Sequence, residues 1–201
     1  MDPKRTGKSY DQISDLWRGD RFDHQNGIAL HEKALDFMAS GGTCLNVGCG
    51  GNTRFNPILR GKDLDVIGLD ISERMLVLAH ESDPSMTLVH ADVCAWQPER
   101  RFEFITAWDS IWHVPLSEHA NVMKKLMGAL SPGGVFIFSA GGLEMEGDHY
   151  DSTMGPKMYY SALGIPATLR LIEAYDCIVR HLEFDQWPEA HLAVIVQRNT
   201  D

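Results

Sequence analysis

The chain has 201 residues, enough for one α/β domain with its own core, and 28 Asp+Glu against 18 Lys+Arg give a formal net charge of -10. That balance disfavours nucleic acid and anionic membranes as partners, because both reward clustered cations and Lys4-Arg5 is too short for a basic arm. No apolar run approaches the roughly 20 residues that span a bilayer, and Met1-Asp2-Pro3-Lys4-Arg5 lacks the apolar segment of a secretion signal. Cys44, Cys49, Cys94 and Cys177 contain no C-x-x-C pair, so reduced core thiols in a cytoplasmic protein are expected, with no metal site.

In chain order, residues 1–9 are polar and read as a loose lead-in, and a short helix over 10–17 is ended by Arg18-Gly19-Asp20. Asn26 is expected to cap a helix to about residue 38, where Leu30, Ala34, Phe37 and Met38 recur at helical spacing before Gly41-Gly42. The expected division is an N-terminal arm over 1–25 and a single domain over 26–201. Strands follow near 43–48, 64–70 and 86–90, with a helix from Ser72 to about His80. Pro57 admits only a short helix capped by Asn56. A fourth strand covers 102–108, and Ser117 caps a helix whose Val122, Met123, Leu126, Met127 and Leu130 form one apolar stripe. Pro132-Gly133 supplies a type II turn into a fifth strand at 134–139. A helix near 166–174 and strands at 177–184 and 191–197 complete the chain. Strands alternating with helices predict a mainly parallel sheet covered on both faces. The link 185–190 is too short for a crossover helix, so the final strand should run antiparallel.

The apolar run 43–47 breaks into Gly48-Cys49-Gly50-Gly51, and a second apolar strand ends on Asp70, 20 positions after Gly50. Glycines let the backbone turn sharply and offer N–H groups where a Cβ would obstruct a ligand. A carboxylate at that distance suits the vicinal hydroxyls of a ribose, so the pair predicts a nucleoside-containing ligand at adjacent strand ends. A dinucleotide fingerprint would want glycine where Thr53 stands, and no P-loop lysine follows the glycines. The loop therefore suits an uncharged or zwitterionic ligand.

Gly48-Cys49-Gly50, Gly68-Leu69-Asp70-Ile71-Ser72, Ala91-Asp92-Val93 and Ser131-Pro132-Gly133-Gly134, in that order over roughly residues 43–140, resemble the motifs of the class I S-adenosylmethionine-dependent methyltransferases, small-molecule type. The resemblance implies a Rossmann-like three-layer sandwich around a seven-stranded mainly parallel sheet with the last strand antiparallel. It also implies S-adenosyl-L-methionine as methyl donor, leaving S-adenosyl-L-homocysteine. In the same terms, the loop Gly48-Cys49-Gly50 wraps the methionine portion and Asp70 takes the ribose. Ile71 and Met75 wall the adenine, Asp92 accepts from its exocyclic amine, and Val93 offers its N–H to the ring. Ala107 and Trp108, at the fourth strand's end, lie by the cofactor's amino group, as does Asn46, where the family usually carries an acid.

The acceptor should lie beside Asp109-Ser110-Ile111-Trp112-His113. Trp108 and Trp112 offer aromatic faces to a sulfonium, or else fill the core. His113 is the first candidate for a general base, and Asp109 the second, either as base or as orienter of the acceptor. Arg54 either meets the cofactor carboxylate or is solvated. Tyr10-Asp11-Gln12-Ile13 and Trp17 resemble the family's leading helix, which covers the cofactor, and Arg18, Arg21 and His24 could add contacts there. His149 and Tyr150 lie where substrate lids form. The motif Asn/Asp/Ser-Pro-Pro-aromatic of base-modifying enzymes is absent at 109–112. The expected function is thus in-line methyl transfer to a small-molecule acceptor, by a monomer or homodimer that binds neither nucleic acid nor membrane. The alternatives are a protein methyltransferase and a non-catalytic S-adenosylmethionine- or nucleoside-binding regulatory protein. Thr53 and the Asp92 motif weigh against a nicotinamide-dependent oxidoreductase.

Overall fold

The computed structural model describes residues 1–18 and 22–200. Its main sheet is built from β1 (Gly42–Val47), β2 (Leu64–Asp70), β3 (Thr87–His90), β4 (Phe102–Ala107), β5 (Leu130–Gly141), β8 (Cys177–Phe184) and β9 (His191–Arg198), in the order β3-β2-β1-β4-β5-β9-β8. The strands from β3 across to β5 pair in parallel, while β9 is antiparallel to both neighbours. The antiparallel last strand is thus inserted between β5 and β8, as the short link before it requires. Strand order reverses between β1 and β4, and a crevice opens beyond the carboxyl ends of parallel strands at such a point.

Both faces of the sheet are covered, which β5 (Val135-Phe136-Ile137-Phe138) and β9 (Leu192-Ala193-Val194-Ile195-Val196) record as unbroken apolar runs. In β5, Phe136 and Phe138 face one core with Val122, Met123, Leu126 and Met127 of α5 (Leu116–Gly128), and with Ile172 of α6 (Ile165–Ala174). The alternate residues Val135 and Ile137 face a second core with Leu30 and Ala34 of α2 (Ile28–Leu35) and Leu59 of α3 (Asn56–Gly61). Among the described residues no helix is long and apolar enough to cross a membrane. The four cysteines are free.

Several local expectations change. The polar lead-in is helical: α1 spans Pro3–Ile13, with Asp2 accepting from the Lys4 N–H at 3.0 Å and Pro3 in the first turn, and a 3-10 turn follows over Ser14–Trp17. A helix of this length is marginal alone, and here it is held by docking on α4 (Glu73–Ser82) and the strand end before it. Asp11 accepts from the Ser72 hydroxyl at 2.6 Å and the Arg74 N–H at 3.2 Å. A Cβ on Gly7 would stand 2.9 Å from the Ile71 carbonyl, so only glycine permits the approach. Asn26 is no cap. Gly27 occupies that position at φ 81, and the Asn26 side chain is spent on Asp109 and Trp108. The helix ends at Leu35 rather than near 38. Pro115 precedes α5, so Ser117 sits inside its first turn. Ser72 does cap α4, accepting from the Met75 N–H at 3.1 Å. The segment after β5 contains an unexpected hairpin, β6 (Gly147–Asp151) with β7 (Met158–Ala162).

Candidate active site

One cleft of about 900 Å³, open mouth included, lies over the ends of β1 to β4. Gly48, Cys49, Gly50, Asp70, Ile71, Met75, Asp92, Val93, Trp108, Asp109 and His113 all line it. From α1 and the turn after it come Thr6, Tyr10 and Trp17, so the first helix forms part of its wall.

The loop after β1 turns through Gly48 at φ 65 and Gly50 at φ 60, a region L side chains rarely adopt. A Cβ on Gly50 would meet no protein atom within 4 Å, so packing leaves space above that loop. Asp70 closes the same turn from β2: one carboxylate oxygen accepts the Gly50 N–H at 2.9 Å and the other the Ser72 N–H at 2.9 Å. Burial pushes its carboxyl above the usual range, opposed by the N–H groups of Ser72, Gly50 and Ile71. Each oxygen keeps a further lone pair. Asp92 ends its own turn by accepting the Cys94 N–H at 2.8 Å through Oδ1.

At the other end of the cleft the polar groups are engaged with one another. Asp109 sits at φ 54, a strained conformation for a residue with a side chain. Its N–H donates to the Ser139 hydroxyl at 2.7 Å. Its carboxylate takes His191 Nε2 at 2.9 Å on one oxygen, and Asn26 Nδ2 at 3.0 Å on the other. Arg54 stands 3.8 Å from that second oxygen. His191 is gripped on its far nitrogen by Asp185, and these two carboxylates outweigh its burial and raise its pKa.

Arg54 is not solvated. Its side chain is 10% exposed, its guanidinium lies between the rings of Phe22 and Phe55, and its Nε–H donates to the Asn26 carbonyl at 3.1 Å. Burial lowers its pKa to about 10, which leaves it charged at neutral pH.

His113 Nδ1 lies 2.7 Å from the Tyr159 carbonyl, which can only accept, so the proton is on Nδ1 and Nε2 is the acceptor. Nε2 is met by the Tyr10 hydroxyl at 2.7 Å and by the Trp112 N–H at 3.1 Å. Burial lowers the pKa of His113 to about 4, so the ring is neutral at physiological pH.

Some expected contacts lie off the cleft. Asn46 is buried two residues after Cys44, on the face of β1 that carries the second core, and Ala107 is fully enclosed. Neither lines the cleft, and nor does Trp112, whose ring packs against His113 and His191. His149 and Tyr150 are exposed on β6. Arg18 pairs with Glu81 on the surface, His24 lies against Phe22, and Arg21 falls outside the described residues. The roles of His191, Asp185 and Asn26 were missed because nothing near them in sequence marks a site.

A protein-family model described as a methyltransferase domain matches residues 44–134. The chain is 38% identical over 92 residues to a trans-aconitate 2-methyltransferase of Methylobacterium radiotolerans, covering 45% of this chain and 35% of that one. It is 30% identical over 133 residues to the enzyme of that name from Paracidovorax citrulli, covering 64% and 50%. The chain thus spans about a third to a half of the length of these curated relatives. In fold it is similar to a Burkholderia thailandensis 1,6-didemethyltoxoflavin-N1-methyltransferase solved with its substrate and S-adenosylhomocysteine. The TM-score is 0.72 at 16% identity, over 98% of this chain and 87% of that one. It is likewise similar to the N-methyltransferase NodS of Bradyrhizobium japonicum, with a TM-score of 0.70 at 14% identity, over 98% and 99%. The motif order, the sheet topology with its inserted last strand and these matches agree: residues 44–134 match a methyltransferase domain, within a fold similar to that of S-adenosylmethionine-dependent methyltransferases.

Proposed function

We propose that this chain transfers a methyl group from S-adenosylmethionine to a small acceptor that is uncharged or cationic. The observation that carries the reading is a single cleft in which the glycine loop, Asp70 and Asp92, from three strand ends, stand together beneath α1. The free lone pairs of Asp70 suit ribose hydroxyls, and the second oxygen of Asp92 suits the adenine amine. Ile71 and Met75 supply apolar walls for that ring, and Val93 its N–H. The open space over Gly50 fits the methionine portion, and the Arg54 guanidinium fits its carboxylate. When bound, S-adenosylmethionine supplies a methyl group on a positively charged sulfur, open to in-line attack.

The chain's own part is mainly alignment, which can be worth about 7–11 kcal/mol. Proton removal is assigned to Tyr10 backed by His113, not to His113 directly, because Nε2 is already covered by the Tyr10 hydroxyl. As the acceptor's nucleophilic atom attacks, its proton passes to the Tyr10 oxygen, while the Tyr10 proton passes to His113 Nε2. Asp109, saturated by its own donors, is assigned to shaping the acceptor end and not to acting as a base. Arg54 is the only Lys or Arg among the described residues lining the cleft, which also holds Asp70, Asp92 and Asp109. That charge pattern does not suit a tricarboxylate such as trans-aconitate.

Calorimetric titration with S-adenosylhomocysteine, with NAD in parallel, tests the cofactor. Micromolar binding of the first alone is expected, and binding of NAD alone would overturn the assignment. A turnover screen of amines, alcohols and polycarboxylates tests the acceptor class, and methylation of a polycarboxylate would sink it.

A further inference from the structure

Lys125 on α5 makes a contact that the chemistry above does not use. Its ammonium donates to three backbone carbonyls of one loop: Val93 at 2.8 Å, Cys94 at 2.9 Å and Trp96 at 2.6 Å. An ammonium has three protons, and here each has its own acceptor. The loop so gathered follows β3 and carries, at its start, Asp92 and Val93, both of which line the cleft. The loop's other hydrogen bonds are the Cys94 N–H to Asp92, the Ala95 and Trp96 N–H groups to the Asp92 carbonyl, and the Ala91 N–H to the Asp70 carbonyl at its start, while Val93, Cys94 and Trp96 pack against the first core. The turns fix its shape and Ala91 ties its start to β2, but beyond Ala91 none of these hydrogen bonds leaves the loop. Lys125 comes from 29 to 32 positions away and ties residues 93, 94 and 96 to α5 by hydrogen bonds.

We infer that Lys125 is a positioning residue for nucleobase recognition, holding the loop so that Asp92 and Val93 are set for the adenine edge before a ligand arrives. This rests on the cofactor assignment above. Charge-assisted hydrogen bonds are the strong ones, and a loop ordered in advance spares the ligand the cost of ordering it. Lys125 touches no ligand itself. Its loss should therefore weaken discrimination at the base edge more than contact with the sugar and methionine portions.

The test is calorimetry with S-adenosylhomocysteine and its inosine counterpart, in which the exocyclic amine is an oxygen, on the wild type, Lys125→Met and Lys125→Arg. The wild type should prefer the adenine ligand. Lys125→Met should lose about tenfold in adenine-ligand affinity and most of that preference, with Lys125→Arg between the two. Should Lys125→Met not fold, the preference of Lys125→Arg and amide exchange over residues 93–96 decide. A wild-type preference and wild-type protection in that variant would overturn the role. Equal weakening of both ligands in Lys125→Met would also overturn it, as mere destabilisation. If the wild type bound neither ligand, or both alike, the cofactor assignment itself would fail and this inference with it.

Discussion

The two ends of the cleft handle their polar groups in opposite ways. At the cofactor end, Asp70 and Asp92 line the cleft and use one lone pair per bonded oxygen on neighbouring backbone, with the others unengaged by side chains. At the acceptor end, Asp109 and His113 are spent on other side chains: Asn26, Ser139 and His191 around the first, Tyr10 and Trp112 around the second. A group with an open lone pair binds. A group whose partners are all internal holds other groups still, or acts through the one partner that reaches the ligand. The carboxylates at the cofactor end should therefore govern affinity, and the Tyr10–His113 pair turnover.

The largest break in that comparison is expected from Asp70→Ala. It removes two charge-assisted contacts to the ribose, at about 1.5–3 kcal/mol each, so S-adenosylhomocysteine affinity should fall by about 10² to 10⁴-fold. Calorimetry on the variant checks this, with circular dichroism to show that it folds. Unchanged affinity would remove Asp70 from the ribose. Asp70→Asn separates binding from folding, since its amide oxygen still accepts one backbone N–H.

Next in size is the acceptor end. Tyr10→Phe keeps the ring but deletes the hydroxyl that covers His113 Nε2, so turnover should fall by about 10²-fold, the lower end of general-base effects. Cofactor affinity should change by less than about fivefold, since a lost neutral hydrogen bond is worth about 1 kcal/mol or less here. His113→Gln should cost about the same, and the double variant little more, because the two groups act as one relay. Fully multiplicative losses would separate them, and a normal rate for Tyr10→Phe on a true acceptor would return the pair to a purely structural role.

The same contrast explains what could be read from the sequence. The cofactor end is local. A strand, three glycines and an acid at the next strand's end are neighbours along the chain or across one parallel pairing, so spacing alone locates them. The sheet is legible for the same reason, since its central strands are rich in apolar residues and the 185–190 link allows a hairpin only. The acceptor end is assembled over distance: Tyr10 lies 103 positions from His113, Asn26 83 from Asp109, and His191 82 from Asp109. Nothing local to His191 marks it, as a histidine opening an apolar strand has many ordinary uses. The polar first helix was missed because its order comes from docking through Asp11 and Gly7, not from propensity. Arg54 reads as solvated in sequence because Phe22, one of the two rings against its guanidinium, lies far from it along the chain.

The smallest effect per unit change is electrostatic, and it also divides the two ends. Burial holds His31 to a pKa of about 3, and His113 and His119 to about 4, against 6.5 for an unperturbed histidine. For each, the neutral form is favoured on folding. Stability from these three is therefore complete above pH 6.5 and lost as pH falls below it, while the unfolded chain takes up protons that the folded one refuses. Each such proton contributes a slope of about 1.4 kcal/mol per pH unit. His191 has the opposite sign. Its two carboxylates raise its pKa, so its contribution is complete below pH 6.5 and lost as pH rises through the folded value. Asp70, also raised, eases protonation of the folded state in acid and offsets part of the loss. Unfolding free energy from denaturant titrations should thus peak near pH 6.5–7, fall steeply toward pH 4.5 and decline gently on the alkaline side. His113→Gln should remove about one proton from the acid slope, and His191→Asn should flatten the alkaline limb. Among the described residues no histidine side chain hydrogen-bonds to the carboxylate of Asp70 or Asp92, so near pH 5.5 the acid loss falls on the core and the acceptor end. A profile flat from pH 8 to pH 4.5, or a His113→Gln slope equal to that of the wild type, would show that His113 is not held neutral by its burial.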